Sequence, residues 1–254
     1  MRAGSLIRVL LVAVLLAAIA TAVAIFIPWL PDQASEEGGR VDFVFWFVTA
    51  ICIGIFSVVA SLSVYSLIKF RAKPDDDSDG PPIHGHTGIE ITWTVIPLVL
   101  VLAMIVVSSV ALAQNDRDPA NSMRVEVLGQ QFAWTVAYPP EGAKEDMDGF
   151  VCFTRGSGEV DSRCKSSPNL MLPLDRHVRL HLTARDVIHS FFVPEFRQKQ
   201  DAVPGLKTEI TVTPTKLGNF PFICTELCGL GHALMRTRAI VLSQSKFDAW
   251  RASK

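Results

Sequence analysis

The stretch "CTELCGLGHALM", residues 224–235, places Cys224, Cys228, His232 and Met235 at successive intervals of four, four and three. It lies between two segments of strand-like alternation, "KLGNFPFI" and "RTRAIVLS". Two thiolates, an imidazole and a thioether are soft or borderline donors, a set that suits copper or zinc and not magnesium or calcium. A structural zinc site needs a second pair of ligands elsewhere, and His189 in "DVIHSFFVP" is available for one. Zinc leaves Met235 without a role, whereas a weak thioether beside cysteine and histidine belongs to strand–loop–strand copper sites. A mononuclear blue-copper site uses one thiolate, and this loop has two. Two cysteines four residues apart can each bridge the same pair of coppers. Each copper then takes one histidine, His189 or His232, and one weak donor, which is Met235 or a backbone carbonyl between the cysteines. Spreading one electron over two coppers changes the geometry little, which suits fast electron exchange. A thiol pair that cycles through a disulfide is a second reading of Cys224 and Cys228, and it leaves Met235 and His189 idle.

The elements that must hold such a loop follow from hydropathy. Of the 254 residues 49% are hydrophobic and 19% charged, and the apolar excess is concentrated. Val9 to Leu30, Phe43 to Ile68 and Ile91 to Ala113 contain no charged residue, and each is long enough to cross about 30 Å of hydrocarbon as a helix. Gln114 to Lys254 has ordinary polarity, so the chain predicts a membrane protein with a water-soluble C-terminal domain. The first run has the Arg2 and Arg8 flank and the small "AVA" triplet, residues 22–24, of a signal peptide. Its length favours a retained helix, and residues 1–30 are read as one or the other. It has no cysteine, which excludes a lipoprotein anchor. Arg2 and Arg8 before the first run, and Lys69, Arg71 and Lys73 after the second, put both flanks in the cytoplasm. Residues 41–113 then form a two-helix hairpin with a cytoplasmic connector, residues 71–90. The segment "PDQASEEGGR" and the domain 114–254 lie outside.

In that domain "MRVEVLGQQFAWTVAYPP" alternates with one slip near Gly129, read as a β-bulge. "HVRLHLTARD", "TEITVTPT" and "NFPFICTE" alternate as well, so the domain predicts a β-sandwich or barrel. Ser245 to Asp248 reads as a capping box opening a terminal helix. Cys52, within an apolar run, reads as a buried structural thiol. Cys152 and Cys164 could form a disulfide closing a short loop, worth roughly 3 kcal/mol. The net charge of −1 with no basic stripe argues against nucleic acid. No Cys-x-x-Cys-His occurs, so the chain carries no covalent c-type haem.

"CTELCGLGHALM", together with the upstream "DVIHSFFVPEFRQKQDAVPG", resembles subunit II of the cytochrome c oxidases, the haem-copper oxidases that reduce oxygen. The resemblance runs from Val41 to Trp250. It implies two membrane helices followed by a cupredoxin-like Greek-key β-barrel, so the fold class is a membrane-anchored all-β protein. It also implies a dinuclear copper centre held by His189, Cys224, the main-chain carbonyl of Glu226, Cys228, His232 and Met235. The Glu226 carboxylate would reach a magnesium ion shared with the catalytic subunit. "GIEITWTVIP" is similar to the start of the family's second membrane helix, which implies a proton-channel entry at Glu90. His84 and His86 read as solvated loop histidines.

The family carries Trp-x-Trp after a glutamine, its first tryptophan taking the electron from the donor; here "GQQFAW" has Phe132 first and Trp134 second. The resemblance implies electron entry at these two residues. Glu141, Glu145, Asp146 and Asp148 on the next loop could steer a basic donor. Arg185 beside Asp186 points to a donor surface unlike the mitochondrial one. The implied activity is that of a proton-translocating cytochrome-c oxidase. This chain would be its electron-transfer module, with subunit I, subunit III, a c-type cytochrome and the lipid bilayer as partners, in the cell membrane. A copper-free quinol-oxidase version of the subunit would lack the ligands that are present here.

Overall fold

The computed structural model describes residues 3–253, apart from 72–79, 81, 118, 120, 141, 145–148 and 154–158. Arg2, Lys73, Glu141, Glu145, Asp146 and Asp148 therefore lie outside the described residues. The chain divides into two compact units, one of Met1–Trp29 and Phe43–Val110, the other of Leu30–Asp42 and Ala111–Lys254.

The first unit is helical: α1 (Ala3–Phe26), α2 (Glu36–Lys69) and α3 (Thr87–Asn115). With 24, 34 and 29 residues these helices are all long and apolar enough to span a membrane. Their outward faces are as apolar as the rest, the pattern of a helix whose solvent is lipid. Several hydroxyls among them bond carbonyls of their own helix. Thr49 bonds the Phe45 carbonyl, Ser57 that of Ile53, Thr92 that of Gly88 and Thr94 that of Glu90, each at 2.7–2.8 Å. Pro97 interrupts the ladder of α3 by removing one donor. Cys52 departs from the sequence reading: it is exposed on α2, where the helix turns an apolar face outward.

The second unit is the cupredoxin-like domain, built of β1 (Met123–Gln130), β2 (Ala133–Tyr138), β3 (Lys165–Ser167), β4 (Leu170–Pro173), β5 (Val178–Ala184), β6 (His189–Val193), β7 (Gln198–Ala202), β8 (Thr208–Val212), β9 (Gly218–Cys224) and β10 (Arg236–Leu242). They form two five-stranded sheets, in the orders β3-β2-β1-β5-β8 and β4-β10-β9-β6-β7. Inward side chains of both sheets make one core, with Val125, Val127 and Val136 meeting Phe191, Phe222 and Val241. The slip near Gly129 is not a bulge. β1 ends at Gln130, the chain turns through Gln131 and Phe132, and Ala133 pairs directly with Gln130. The alternation breaks because a hairpin reverses the chain there. The terminal helix α4 (Gln244–Ala252) is preceded by Ser243 at its cap, with no side-chain capping bond, so the expected box at Ser245 does not form. Phe247 is buried in the core, and that contact holds the helix.

On the outer face of the first sheet, Phe150, Cys152 and Phe153 pack on Leu128 and Ala137 as a second, smaller core. A disulfide joins Cys152 to Cys164 across it. Fully buried Glu126 pins this segment, accepting hydrogen bonds from the N–H groups of Val151 (2.7 Å) and Cys152 (2.8 Å) and from Arg124. Burial pushes its carboxyl up, and these donors offset part of that rise.

Leu30–Asp42, which follows α1 and includes the first turns of α2, belongs to the β domain. The Ala34 N–H bonds the Glu195 carbonyl at 2.9 Å, and the Ala34 carbonyl accepts from Thr215 at 2.9 Å. Glu36 N–H donates to the Thr213 carbonyl at 3.0 Å, and Ser35 Oγ to that of Phe196 at 3.1 Å. Arg197, held at φ 60°, bonds Asp42 with both Nε and Nη2 and also reaches the Pro31 carbonyl. Ala34, Ser35 and Glu37 are buried. A segment that is polar in sequence is thus an integral strap of the domain.

Candidate metal centre

Antiparallel β6 and β9 bring His189 and Cys224 to one end of the second sheet, because Phe191 pairs with Cys224. The chain leaves β9 at Cys224 and re-enters β10 at Arg236, and the loop between is closed at its base by Cys224 N–H on the Met235 carbonyl at 3.1 Å. Thr225 N–H on the Ser190 carbonyl, at 3.0 Å, ties the loop to β6. Gly229, at φ 131°, takes a conformation that side chains rarely adopt, and a one-turn helix over His232–Leu234 returns Met235 inward.

This path gathers six donor groups. Cys224 Sγ lies 4.0 Å from Cys228 Sγ, 3.9 Å from His189 Nδ1 and 3.3 Å from the Glu226 carbonyl oxygen. Cys228 Sγ lies 3.6 Å from His232 Nδ1 and 3.8 Å from Met235 Sδ. A disulfide needs its sulfurs about 2.05 Å apart, so these two are separate thiols. Burial and the neighbouring Cys224 push the Cys228 thiol up to about 11, so without metal it keeps its proton at neutral pH. Cys224, Cys228, His189 and Met235 are all buried, in a site largely closed to water. His189, Cys224 and Cys228 alone could hold an ion. The full set, two thiols flanked by two imidazoles, a thioether and a carbonyl, suits copper, since one tetrahedral zinc would leave two of the six unused.

Two residues to which sequence reasoning gave no part in holding the ligands orient the site. Asp186 Oδ1 is 2.9 Å from His189 Nε2, so Nε2 carries the proton and the Nδ1 lone pair faces the thiols. Burial alone would raise the Asp186 carboxyl, but hydrogen bonds from the Gln131 N–H, His189 and the Val187 N–H outweigh it and hold it low. Gln131 spans both sides, its N–H on Asp186 at 2.7 Å and its Nε2 on the Cys228 carbonyl at 2.6 Å. The i−3 spacing of Asp186 from His189 was the available signal. Close packing reinforces this. A Cβ on Gly129 would fall 3.0 Å from His189 Cδ2 and 3.1 Å from Trp134, and one on Gly231 would fall 2.5 Å from the Phe132 ring.

The remaining candidates scatter. Phe132 is 40% exposed against the loop, while Trp134 is only 4% exposed, behind His189 and against Phe222 at 4.7 Å. Phe132 is therefore the ring at the surface and Trp134 a core residue. Glu90 lies in the first turn of α3, where its Oε1 accepts the His86 N–H at 2.9 Å; His84 and His86 are exposed. Tyr138 ends β2, at the far end of that strand from the Gln131 turn, and pairs with Lys165 of β3. Arg185 is exposed beside Gln130.

The family model described as cytochrome C oxidase subunit II, periplasmic domain, matches residues 123–243, and that of the subunit's transmembrane domain matches residues 20–112. Cytochrome c oxidase subunit 2 of Synechocystis sp. is 30% identical over 88% of this chain and 75% of its own. That of Thermostichus vulcanus is 36% identical over 87% of this chain and 77% of its own. A crystal structure of the periplasmic domain of subunit II of cytochrome oxidase from Bradyrhizobium japonicum is 30% identical, covering 52% of this chain and 92% of that one, with a TM-score of 0.40.

Proposed function

The chain belongs to the cytochrome c oxidase subunit II family, and on that premise we propose that it is the subunit through which a haem-copper oxidase takes in electrons, one at a time, from a c-type cytochrome. The observation that carries this reading is the meeting of six donor groups, two of them thiols 4.0 Å apart. His189, Cys224, the Glu226 carbonyl, Cys228, His232 and Met235 would hold two coppers. Copper held there, with Cys224 and Cys228 as its thiolate ligands, would supply a one-electron redox centre.

The protein's own groups do the rest. Cys224 and Cys228 give up their protons on metal binding. Asp186 fixes the His189 ring and its tautomer. The buried core excludes water, and Phe132 offers the ring nearest to an incoming donor. The haem that receives these electrons would belong to subunit I, where oxygen would be reduced to water with proton translocation. The exposed Glu226 carboxylate would contribute to a magnesium site shared with that subunit, and Glu90 would stand at a proton entry. Subunit III completes the complex. The chain is a multi-pass protein of the cell membrane, with its β domain on the outer side. Residues 1–30 act as a retained helix or a cleaved leader, residues 41–113 as the helical hairpin and residues 114–254 as the copper domain.

The test is copper stoichiometry and EPR on the full chain in detergent, since Leu30–Asp42 is part of the β domain. Two coppers per chain, with hyperfine structure from one electron shared equally by both nuclei, support the reading. One copper, or preferential zinc, moves the thiols to a structural or redox role.

A further inference from the structure

Among the described residues of 123–253, eight large apolar side chains are exposed: six of them, Phe132, Val187, Ile188, Leu227, Leu230 and Leu234, lie in the three segments that surround the candidate ligands. Their clustering is enforced by the site. The Phe132 ring rests on Gly229 and Gly231, where a Cβ would meet it at 3.2 and 2.5 Å. Val187 and Ile188 are held out by Asp186, whose carboxylate is drawn inward to His189 and to the N–H groups of Gln131 and Val187. Leu227, Leu230 and Leu234 alternate with Cys228, His232 and Met235, so turning the ligands inward turns the leucines out. An apolar ring of this kind marks a contact surface.

Its charge is as telling as its apolarity. The same segments and the residue that follows them carry Arg185 and Arg236 against Asp186 and Glu226, a formal balance of zero. Arg236 folds back on the Ala233 carbonyl at 2.8 Å, and the Asp186 carboxylate is engaged by three donors. No like-signed arc remains among the described residues here to steer a charged partner. Long-range steering raises association rates by about 10–10³ and fades with salt, so a surface without it must bind by burial of apolar area.

We infer that this ring is the docking face for a redox protein whose own metal edge is bordered by uncharged, apolar side chains, and that their association is nearly independent of ionic strength. The inference rests on the electron-entry reading and names the class of donor that it implies.

The experiment uses the assembled oxidase and measures the second-order rate at which two reduced c-type cytochromes reduce its copper centre, one with a lysine-ringed haem edge and one with an uncharged apolar edge. The apolar-edged donor should be the faster, with a rate changing less than about twofold between about 10 and about 300 mM salt. Leu230→Ser and Leu230→Lys should each slow it severalfold while the copper EPR spectrum stays unchanged. A faster lysine-ringed donor whose rate falls about tenfold over that salt range overturns the inference. So does a pair of Leu230 variants with unchanged donor rates and weakened retention of the catalytic subunit, since the ring would then belong to that interface. A complex without any dinuclear copper spectrum removes the electron-entry reading itself, and this inference with it.

Discussion

Glu37 and Thr213, 176 residues apart in sequence, meet in the interior of the β domain: Glu37 Oε2 accepts the Thr213 N–H and Oε1 its hydroxyl, each at 2.9 Å. Glu37 is 1% exposed, so the pair is shielded from competing water. Glu37→Ala would leave two buried donors unpaired, a loss of about 1–3 kcal/mol each at most. The expected result is a clear drop in the unfolding midpoint of the β domain, followed by near-UV circular dichroism, with Glu37→Gln in between. An unchanged midpoint in Glu37→Ala would show that the strap adds nothing.

Asp186→Ala should lower copper affinity by about 10–100-fold, because the His189 ring loses the partner that fixes its tautomer. Competition against a copper chelator reads this directly, and Asp186→Asn should recover part of the loss by accepting the same bond. Equal affinity in all three proteins would mean that packing alone orients the ring.

Gly129→Ala places a methyl group 3.0 Å from His189 Cδ2 and 3.1 Å from the Trp134 ring, both in buried surroundings. Overpacking of this kind costs about 1–3 kcal/mol. It should also alter the copper hyperfine pattern, since the displaced group is a ligand. A wild-type spectrum at wild-type stability would contradict the close approach.

Replacing Cys152 and Cys164 by serine opens a bridge between positions 12 apart and should cost about 3 kcal/mol in chain-entropy terms. The bridge covers the outer face of the first sheet, on Leu128 and Ala137, and touches no ligand. The double variant should therefore unfold at lower urea yet keep its copper spectrum, and a changed spectrum would refute that separation.

Acid should weaken the domain through Glu209. Burial alone would raise its carboxyl, but hydrogen bonds from Lys207 and Arg179 and the nearby His181 outweigh it and hold it below its ordinary 4.5. A carboxylate depressed in the folded state adds stability above its unfolded pKa, and that stability is lost as pH falls through the folded value. Between about pH 6 and about pH 3 the urea midpoint should fall, and fall less in Glu209→Gln. Parallel pH curves for the two proteins would assign the acid loss to other groups.

The ligand loop was legible because its donors fall within twelve residues and their spacing has few other uses. His189 needed only a strand to bring it across. The membrane helices were legible from uncharged runs alone. What escaped has physical reasons. A hairpin through Gln131 and Phe132 breaks alternation just as a bulge would, so period alone could not separate them. Electron entry was read at Phe132 and Trp134 alike, because strand alternation does not say which of the two rings the sheets cover. The strap escaped because residues 30–42 show no periodicity, and their partners, Thr213 and Arg197, lie far along the chain. Asp186 lay in plain view at i−3, but its role depends on which ring nitrogen it faces.

The strap also sets a timetable. At roughly 5–20 residues per second of synthesis, Thr213 appears about 9–35 s after Glu37, which lies 176 positions earlier. Through that interval the Glu37 carboxylate lacks Thr213, and the Ser35 hydroxyl lacks its acceptor at Phe196. Their acceptors and donors on the turn at Phe196 and at Thr213 arrive shortly before the ligand loop itself, which begins eleven residues later at Cys224. The earliest piece of the domain to be made is thus among the last to find its partners, shortly before the Cys224–Met235 loop joins the already made His189.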